Sequence, residues 1–371
     1  MADSQNGLSF ETVLCPAEGL DFVLISDNEL LVQFGTRSRP SELFRDNDLS
    51  GVIGNLIGEL LIGPAPVGRL LDCVGEGQRA DALKWLESLV EQGLISDTAR
   101  DPVQQYVRYT FEGFPSFSEG RVAIIGAGPV AARIAHNLLQ QGVASISLSD
   151  SRVTDLHWYR LVPFVAREAT IGEPAQAVLA DCLKQAGHTN VEWFDWADGA
   201  AIEQATAGCD LVILAVEQPD IQLAHAVNRS CIRAGRPWLM IMIDGNLGLI
   251  GPQFQSPDTA CYNDYQALAR AAAPSGAMTR KHRRHLLANR PTAFLSGLPA
   301  YADIVAGHGS VAAAHFLIRG TSHLLGRVMI IDFDGMRIDV EDVLKLPRCP
   351  VCTTKRAPYR PPFPENAETA E

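Results

Sequence analysis

Short apolar runs separated by helical segments make up most of residues 121–243. The apolar positions of the intervening segments recur at helical spacing, whereas the runs themselves are too short for helices and end in polar or glycine residues. Strands alternating with helices predict a doubly wound, mainly parallel α/β sheet of the Rossmann type. The predicted strands cover residues 121–126, 144–149, 191–195, 210–216 and 238–243.

A different pattern precedes this region. Two apolar runs, at 22–25 and 30–34, flank the polar segment Ser26-Asp-Asn-Glu and predict a β-hairpin. Helices are predicted over 49–62 and 80–92, the second ending at Gly93, where a C-terminal helix glycine belongs. A hairpin with short helices in residues 1–112 is compatible with a small winged-helix α+β domain.

The C-terminal third contains further elements. Residues 264–295 are rich in alanine and then basic, which indicates a crossing helix or a loop; the basic run at 280–284 is either a solvated helix face or a docking patch for an acidic peptide or a partner enzyme. A helix at 302–324 and a hairpin at 326–340 follow. The expected domains are therefore 1–112, 118–346, and a segment at 347–371 with a Cys-x-x-Cys pair and a disordered tail.

Composition narrows the functional classes. The formal net charge of −12 over 371 residues argues against nucleic acid as a partner. No apolar run reaches the roughly 18 residues of a membrane span, and the N-terminus lacks the features of a signal peptide. Eight scattered cysteines are then expected to be reduced thiols of a cytoplasmic protein.

The first candidate site is the turn after the strand at 121–126. Gly126 permits a tight turn, Gly128 lets backbone N–H groups approach a phosphate at a helix N-terminus, and Asp150 ends the next strand, where it can accept from ribose hydroxyls. These residues are the candidate nucleotide ligands. The alternative is a tight turn that binds no ligand.

Further motifs in the same order resemble the ubiquitin-activating-type adenylating superfamily, which includes the ThiF-like activators of sulfur carriers. Within it the chain is most similar to the ThiF-like leader-peptide-binding proteins of thiazole/oxazole-modified peptide biosynthesis. The resemblance spans residues 15–353 and implies that residues 15–110 are a winged-helix peptide-recognition element. The motifs that carry it are Ser151 to Arg160, Ile171-Gly-Glu-Pro174, Asp210 to Gln218, Gly251-Pro to Cys261, and Pro347-Arg-Cys-Pro-Val-Cys352.

The chain departs from the pattern of active adenylating members at several positions. Their second acid is Arg152 here, their lysine after the Gly-x-Pro turn is Ala175, and their Asp-Asn pair is Glu217-Gln218; of their Asn-Leu-x-Arg-Gln only Arg160 survives. Adenylation needs cations around the α- and β-phosphates. We therefore expect the fold to be retained and the chemistry to be degraded. If the chain still binds Mg-ATP and adenylates a substrate, Arg160 and Glu217 are the expected catalytic residues.

The resemblance also implies a metal site, since relatives bind zinc with two Cys-x-x-Cys pairs. Here the first pair is Cys261-Tyr-Asn-Asp264, so three thiolates and one carboxylate would be the ligands, with Cys349 and Cys352 completing the set. Such a zinc ion would be structural. The alternative is a group of reduced cysteines left by a lost site.

A leader peptide could add a strand to the free edge of the 20–35 hairpin. Phe22, Leu24, Leu31 and Val32 are candidate peptide-binding residues, although each could equally belong to the core of the small domain. The leading hypothesis is a non-catalytic or weakly catalytic protein that captures a precursor peptide and presents it to a YcaO-type cyclodehydratase. The resemblance implies a homodimer.

Two other functions fit parts of the sequence. A stand-alone enzyme could use Mg-ATP to adenylate a carboxylate of a precursor peptide. A dinucleotide-dependent oxidoreductase ranks last, because no catalytic acid–base pair accompanies the glycine turn.

Overall fold

The computed structural model describes residues 8–35, 42–97, 107, 111, 119–162, 171–195, 199–272, 276–291, 294 and 298–353. The chain divides into two compact units, Met1–Ser116 and Phe117–Glu371. The tail expected to be disordered falls at 354–371, outside the described residues.

In its described residues, the N-terminal unit combines two small sheets with three α-helices. One sheet has the order β2-β3-β4 and the other β5-β1-β6, with antiparallel pairing in both. The predicted hairpin and both predicted helices are present. The elements are β1 (Val13–Pro16), β2 (Asp21–Ser26), β3 (Glu29–Gln33), β4 (Glu42–Arg45), α1 (Val52–Ile62), β5 (Ala65–Pro66), α2 (Val67–Asp72), a short 3₁₀ helix (Glu76–Gln78), α3 (Arg79–Glu91) and β6 (Ile95–Asp97).

The β2–β3–β4 sheet has one face in the core of this unit and one face in solvent. Leu30 and Val32 are fully buried, and Phe22 and Leu24 pack against the same cluster. Because successive side chains of a strand point to opposite faces, the residues between them face outward. The outward row is Val23, Leu31 and Leu43, which are cross-strand partners.

An eight-stranded sheet organises the C-terminal unit, in the order β14-β13-β12-β11-β10-β7-β8-β9. The five strands from β11 to β9 run parallel, and β12, β13 and β14 continue the sheet antiparallel. The strands are β7 (Arg121–Ile125), β8 (Ser145–Asp150), β9 (Val191–Asp195), β10 (Leu211–Val216), β11 (Trp238–Asp244), β12 (Leu247–Phe254), β13 (Arg327–Asp332) and β14 (Arg337–Asp342).

Helices cover both faces of this sheet. On one face, Gly309 lets its helix approach β11 so closely that a Cβ at this position would lie 2.3 Å from Ile241 Cδ1. On the other face, an apolar cluster joins the sheet to helices between 202 and 262. The helices are α4 (Pro129–Gln140), α5 (Leu156–Leu161), α6 (Ala175–Gln185), α7 (Gly199–Ala207), α8 (Ile221–Ala234), α9 (Tyr262–Ala272), α10 (Gly276–Ala288) and α11 (Pro299–Arg319).

The predicted fold class, a mainly parallel Rossmann-like sheet preceded by a small α+β unit, is confirmed. All five strands predicted between 121 and 243 are present within one or two residues of the expected bounds. Sequence reasoning missed β12, because Gly248, Gly251 and Pro252 interrupt its apolar pattern. Among the described residues no helix has the length and apolar character needed to cross a membrane.

Candidate functional site

The glycine turn between β7 and α4 has the shape of a phosphate-binding loop. Gly126 has a φ of +133°, and a Cβ there would lie 2.0 Å from the carbonyl oxygen of Ala215, so only glycine fits. Gly128 is the N-cap of α4 and Pro129 is its first residue. The N–H groups in the first turn of such a helix suit an anion.

That anion position is occupied by a side chain of the protein itself. Glu217, directly after β10, accepts a hydrogen bond from the N–H of Val130 at 3.1 Å. A Cβ on Gly128 would lie 2.4 Å from both carboxylate oxygens of Glu217, so the carboxylate stands directly against the turn. Burial raises the pKa of Glu217 above its ordinary value, although Arg152 and the N–H of Val130 act in the opposite direction.

Asp150, the candidate ribose ligand, is also fully engaged within the protein. Its Oδ2 accepts from the N–H of Ala127 at 2.7 Å and from Arg152 Nη2 at 2.7 Å. Its Oδ1 accepts from the backbone N–H and the Nε of Arg152, at 2.9 and 3.0 Å. Neither oxygen remains available for a ribose hydroxyl without breaking this network.

Arg152 is the centre of the cluster. Its guanidinium contacts Asp150 and also Glu217, with Nη1 3.3 Å from Glu217 Oε2, and it stacks 3.9 Å above the ring of Phe294. Burial alone would lower the pKa of Arg152, but the two carboxylates raise it well above its ordinary value. We call Asp150, Arg152 and Glu217 the internal ion cluster.

The internal ion cluster does not suit a Mg-nucleotide. It sets two carboxylates against one guanidinium at the place where phosphates would bind, so the local charge opposes a further anion. The neighbouring cavity, lined by Gly126, Ser151 and Gln218 among others, measures about 20 Å³. That is room for about one water molecule and far too little for a nucleotide.

The remaining predicted nucleotide residue lies apart from the cluster. Arg160 is an exposed residue of α5 and does not line this cavity. Ala175, where active relatives carry a lysine, is buried as the first residue of α6. The structure thus brings together Gly126, Gly128, Asp150 and Glu217, and leaves Arg160 outside.

Trp158 and Phe294 are parts of the site that sequence reasoning missed. Trp158 is completely buried and donates from its indole N–H to the carbonyl oxygen of Ala127 at 2.7 Å, which fixes the turn. Phe294 covers Arg152. No local pattern marks either residue, although an arginine two positions after a strand-ending acid, as in Asp150-Ser-Arg152, indicates an internal ion pair.

The four predicted metal ligands converge in a second, buried group that we call the cysteine cluster. Cys261, Asp264, Cys349 and Cys352 offer ligand atoms that all lie within 4.8 Å of one another. The Sγ atoms of Cys261 and Cys349 are 3.6 Å apart, and Cys352 Sγ lies 3.2 Å from Asp264 Oδ2. Tetrahedral zinc with Zn–S bonds of ~2.3 Å sets sulfur atoms about 3.8 Å apart, so the spacing fits.

Asp264 supports this assignment because one of its oxygens has no partner. Oδ2 accepts from the N–H of Cys261 at 3.0 Å, whereas the buried Oδ1 makes no hydrogen bond to any described residue. A buried acceptor without a partner is costly, and a cation would relieve it. Burial raises the pKa of Cys261 to about 11 and also raises that of Cys352. Without metal, the thiols of Cys261 and Cys352 are therefore protonated near neutral pH.

The four candidate peptide-binding residues divide between the two faces of the β2–β3–β4 sheet. Val32 is 1 % exposed and lies in the core, and Phe22 and Leu24 pack against that core. Only Leu31 belongs to the outward row. A strict period of two identifies which residues share a face but not which face is buried.

Comparisons with known proteins agree with this architecture. Residues 105–352 match the ThiF family. A search of curated proteins gave no significant match.

Among solved structures, Escherichia coli MccB with ATP aligns at 14 % identity with a TM-score of 0.58, covering 92 % of this chain and all of MccB. The same enzyme with AMPCPP and MccA gives 16 % identity and a TM-score of 0.60, covering 92 % and 99 %. PaaA gives 15 % identity and a TM-score of 0.53, covering 71 % of this chain and 92 % of PaaA. At such identities the likeness concerns the fold, and the match over two thirds of the residues establishes that this chain belongs to the ThiF family.

Proposed function

We propose that the protein captures the leader of a ribosomally made precursor peptide and presents it to a YcaO-type cyclodehydratase, which forms azolines from Cys, Ser or Thr. The observation that carries this proposal is the internal ion cluster. Glu217 occupies the anion position of the glycine turn, and Arg152 donates hydrogen bonds to both carboxylate oxygens of Asp150. Because its own side chains occupy the phosphate position, the chain is suited to binding a peptide and not to adenylating it. In this role the chain itself is non-catalytic.

The N-terminal unit supplies a suitable peptide surface. Among the described residues, β2 and β4 each pair on one side only, so each presents an edge there to which an extended peptide could add. Val23 and Leu43 of the outward row are 47 % and 43 % exposed, and Ile25 is 55 % exposed. Apolar side chains beside a free strand edge fit a peptide that alternates apolar and polar residues.

Solved relatives add support from outside the chain. MccB has been crystallised with its peptide MccA, and with N-formylated MccA at 15 % identity to this chain. A peptide is therefore a reasonable ligand class for the present chain. A homodimer is a further part of the proposal that rests on the family resemblance, and cytoplasmic localisation is one that rests on the eight scattered cysteines.

The test uses the full-length protein and the synthetic precursor peptide encoded nearest to its gene. We expect Val23→Asp and Leu31→Asp to weaken peptide binding about ten-fold or more, since each sets a charge in an apolar contact. Ile62→Asp, which changes a residue 79 % exposed at the end of α1, is the matched control and should bind normally. Unchanged affinity in both test variants would exclude this surface.

A stand-alone adenylating enzyme is the second candidate. Its support is the fold shared with MccB, solved with ATP, and the retention of Arg160 from the motif of active members. Under our proposal, purified protein with Mg-ATP and the precursor consumes no ATP. Peptide-dependent turnover that disappears in Arg160→Ala would favour the enzyme.

We further propose that the cysteine cluster binds one structural zinc ion. Cys261 and Asp264 lie at the start of α9 and Cys349 and Cys352 lie beyond β14, 85 residues or more away in sequence. An ion between them would fasten the segment after β14 to the sheet domain. Its chemistry would be structural, because four protein ligands leave no open position.

A further inference from the structure

Helix α10, which contains the basic run at 280–284, has two different sides. One side lines a cavity between this helix and the helices α8 and α9, through Thr279, His282, Arg283 and Leu286. With 3.6 residues per turn, Arg280, Lys281 and Arg284 lie on the opposite side, and all three are exposed. We call these three residues the basic face.

The basic face has no counter-charge within the described part of the chain. None of its residues forms an ion pair there, and residues 276–290 contain no Asp or Glu. Two nearby acids are placed elsewhere. Asp220 accepts from Arg290 Nε at 3.0 Å, and Asp244 lines the cavity together with His282, on the other side of the helix.

This arrangement leaves the helix with repulsion between its own charges. Arg280 and Arg284 are four residues apart, a spacing at which like charges on one helix destabilise it. None of the described side chains of α10 is buried, so packing does little to offset that repulsion. Because the protein as a whole carries a formal net charge of −12, an acidic segment of the same chain is a possible counter-charge for the basic face.

Such a segment exists in the sequence. Residues 365–371 include three acids at a constant spacing of three, namely Glu365, Glu368 and Glu371, and no basic residue. We call these three glutamates the acidic run. They lie outside the described residues, the last of which is Thr353, and residues 354–364 connect the two.

The described chain ends close enough to α10 for the acidic run to reach it. Cys352 Sγ lies 3.2 Å from Asp264 Oδ2 in the first turn of α9, and Gln266, two residues further on, accepts a hydrogen bond from Arg283 of α10. Thr353 is therefore joined to α10 through a short series of contacts. Residues 354–364 can span up to roughly 36 Å, whereas a helix of 13 residues such as α10 is only about 20 Å long.

We propose that the acidic run binds the basic face of α10 in the same chain. The bound segment covers the basic face, so that any outside acidic partner must displace it. Exposed ion pairs are individually weak, but a tether of this kind gives the acidic run a local concentration of about the millimolar range. The contact is expected to be sensitive to salt, because exposed charges are readily screened. This proposal is independent of the peptide surface and of the proposed function.

The first experiment maps the contact in the full-length protein. Ala367, between two acids of the run, is replaced by p-benzoylphenylalanine, and mass spectrometry locates the photo-crosslinks. We expect crosslinks to residues 276–288 that fall about five-fold or more when Arg280→Gln and Arg284→Gln are combined, and also at high salt. Lys184→Gln, at an exposed position of α6, is the matched control and should leave them unchanged.

Absence of crosslinks to α10, or crosslinks that are equally strong in the double arginine variant, would overturn the proposal. The same experiment identifies the chain that supplies the acidic run. The crosslinker protein is mixed with isotopically labelled protein that lacks the crosslinker. Crosslinks within the unlabelled chain alone are expected. Crosslinks to the labelled chain would show that the segment comes from a second copy and would contradict binding within one chain.

The second experiment measures whether the acidic run blocks an outside acid. An oligoglutamate peptide is the probe, and its affinity for the full-length protein is measured at low salt. We expect it to rise about three-fold or more when Glu365→Gln, Glu368→Gln and Glu371→Gln are combined, since the tethered competitor is lost. Replacing the same three residues by Asp keeps the charge and should leave the affinity as in the natural chain.

Adding Arg280→Gln and Arg284→Gln to the glutamine variant should remove that gain, which would place the probe on the basic face. Equal affinity of the probe for the natural chain and for the glutamine variant would overturn the proposal. The basic face would in that case be open to an acidic partner from outside the chain.

Discussion

The glycine turn and the cysteine cluster are both buried polar sites of the same domain, but they differ in whether their carboxylates have hydrogen-bond partners within the protein. At the turn, each carboxylate has its partners within the protein: Asp150 and Glu217 share Arg152 and each accepts a backbone N–H. At the cysteine cluster, Asp264 Oδ1 has no partner among the described residues and three sulfur atoms converge on it. The first site thus satisfies its charges within the protein, whereas the second presents a buried acceptor that fits the proposed zinc ion.

Removing the cation of the internal ion cluster should have the largest effect. Arg152→Met leaves two buried carboxylates without their counter-charge, and we expect a loss of about 3–5 kcal/mol in the free energy of unfolding. Urea denaturation measures it. Arg337→Met, which breaks an ion pair with Asp339 at a 73 % exposed side chain, should cost less than about 1 kcal/mol. A similarly small loss for Arg152→Met would mean that the internal ion cluster is dispensable.

Removing the proposed zinc ion from the cysteine cluster should have the second-largest effect on stability. If zinc is bound at a hundred times its dissociation constant, its removal by a chelator lowers stability by about 2.7 kcal/mol. Zinc content and the melting temperature, before and after chelation, measure this. Cys349→Ser should abolish the effect, and Cys73→Ser, an exposed thiol outside the cluster, should not. A chelator that changes neither quantity would contradict a metal at this site.

A smaller effect is expected from the steric contact at the turn. Gly128→Ala would force its Cβ against Glu217, and we expect a cost of about 1–3 kcal/mol. Gly208→Ala has no atom within 4 Å of the new Cβ and serves as the control. Combined with Glu217→Ala, the Gly128 substitution should cost much less than alone. Additive losses would show that the two residues do not interact.

The smallest effect concerns protons at the cysteine cluster. The raised pKa values of Cys261 and Cys352 mean that both are neutral thiols at pH 7 without metal. Because zinc binds thiolates, its uptake must release at least these two protons, and its apparent affinity must fall as the pH is lowered. Calorimetry in buffers of different ionisation enthalpy counts the protons. Uptake without proton release would argue against thiolate ligation.

The two sites also differ in how far the sequence could predict them. The cysteine cluster was predictable residue by residue, since a Cys-x-x-Cys pair and a Cys-x-x-Asp pair carry their own spacing. At the turn, the sequence identified the glycines, the loss of the lysine at Ala175 and the exchange to Arg152, but not that Arg152 reaches Glu217. That contact joins the ends of two different strands, and only the parallel order β10-β7-β8 brings them together.

The peptide surface illustrates a third situation. Alternation identified the hairpin, but choosing between Val32 and Leu31 as the outward residue required knowing where α1 and α3 pack. Strand β12 was not predicted for a local reason. Its glycines and proline are residues typical of turns, whereas Gly251 here allows the strand to approach the backbone of Arg327 closely. In both cases tertiary packing, and not the local sequence preference, determined the structure.

Trp158 makes the glycine turn observable. Its indole lies in a fully buried position and its N–H is bonded to the carbonyl of Ala127, so any rearrangement that opens the turn must disturb this ring. The protein contains five tryptophans, few enough for fluorotryptophan labelling to give separate fluorine resonances. One signal, identified by Trp158→Phe, would then report the state of the turn in living cells or in complex with a partner, without any assay for a reaction.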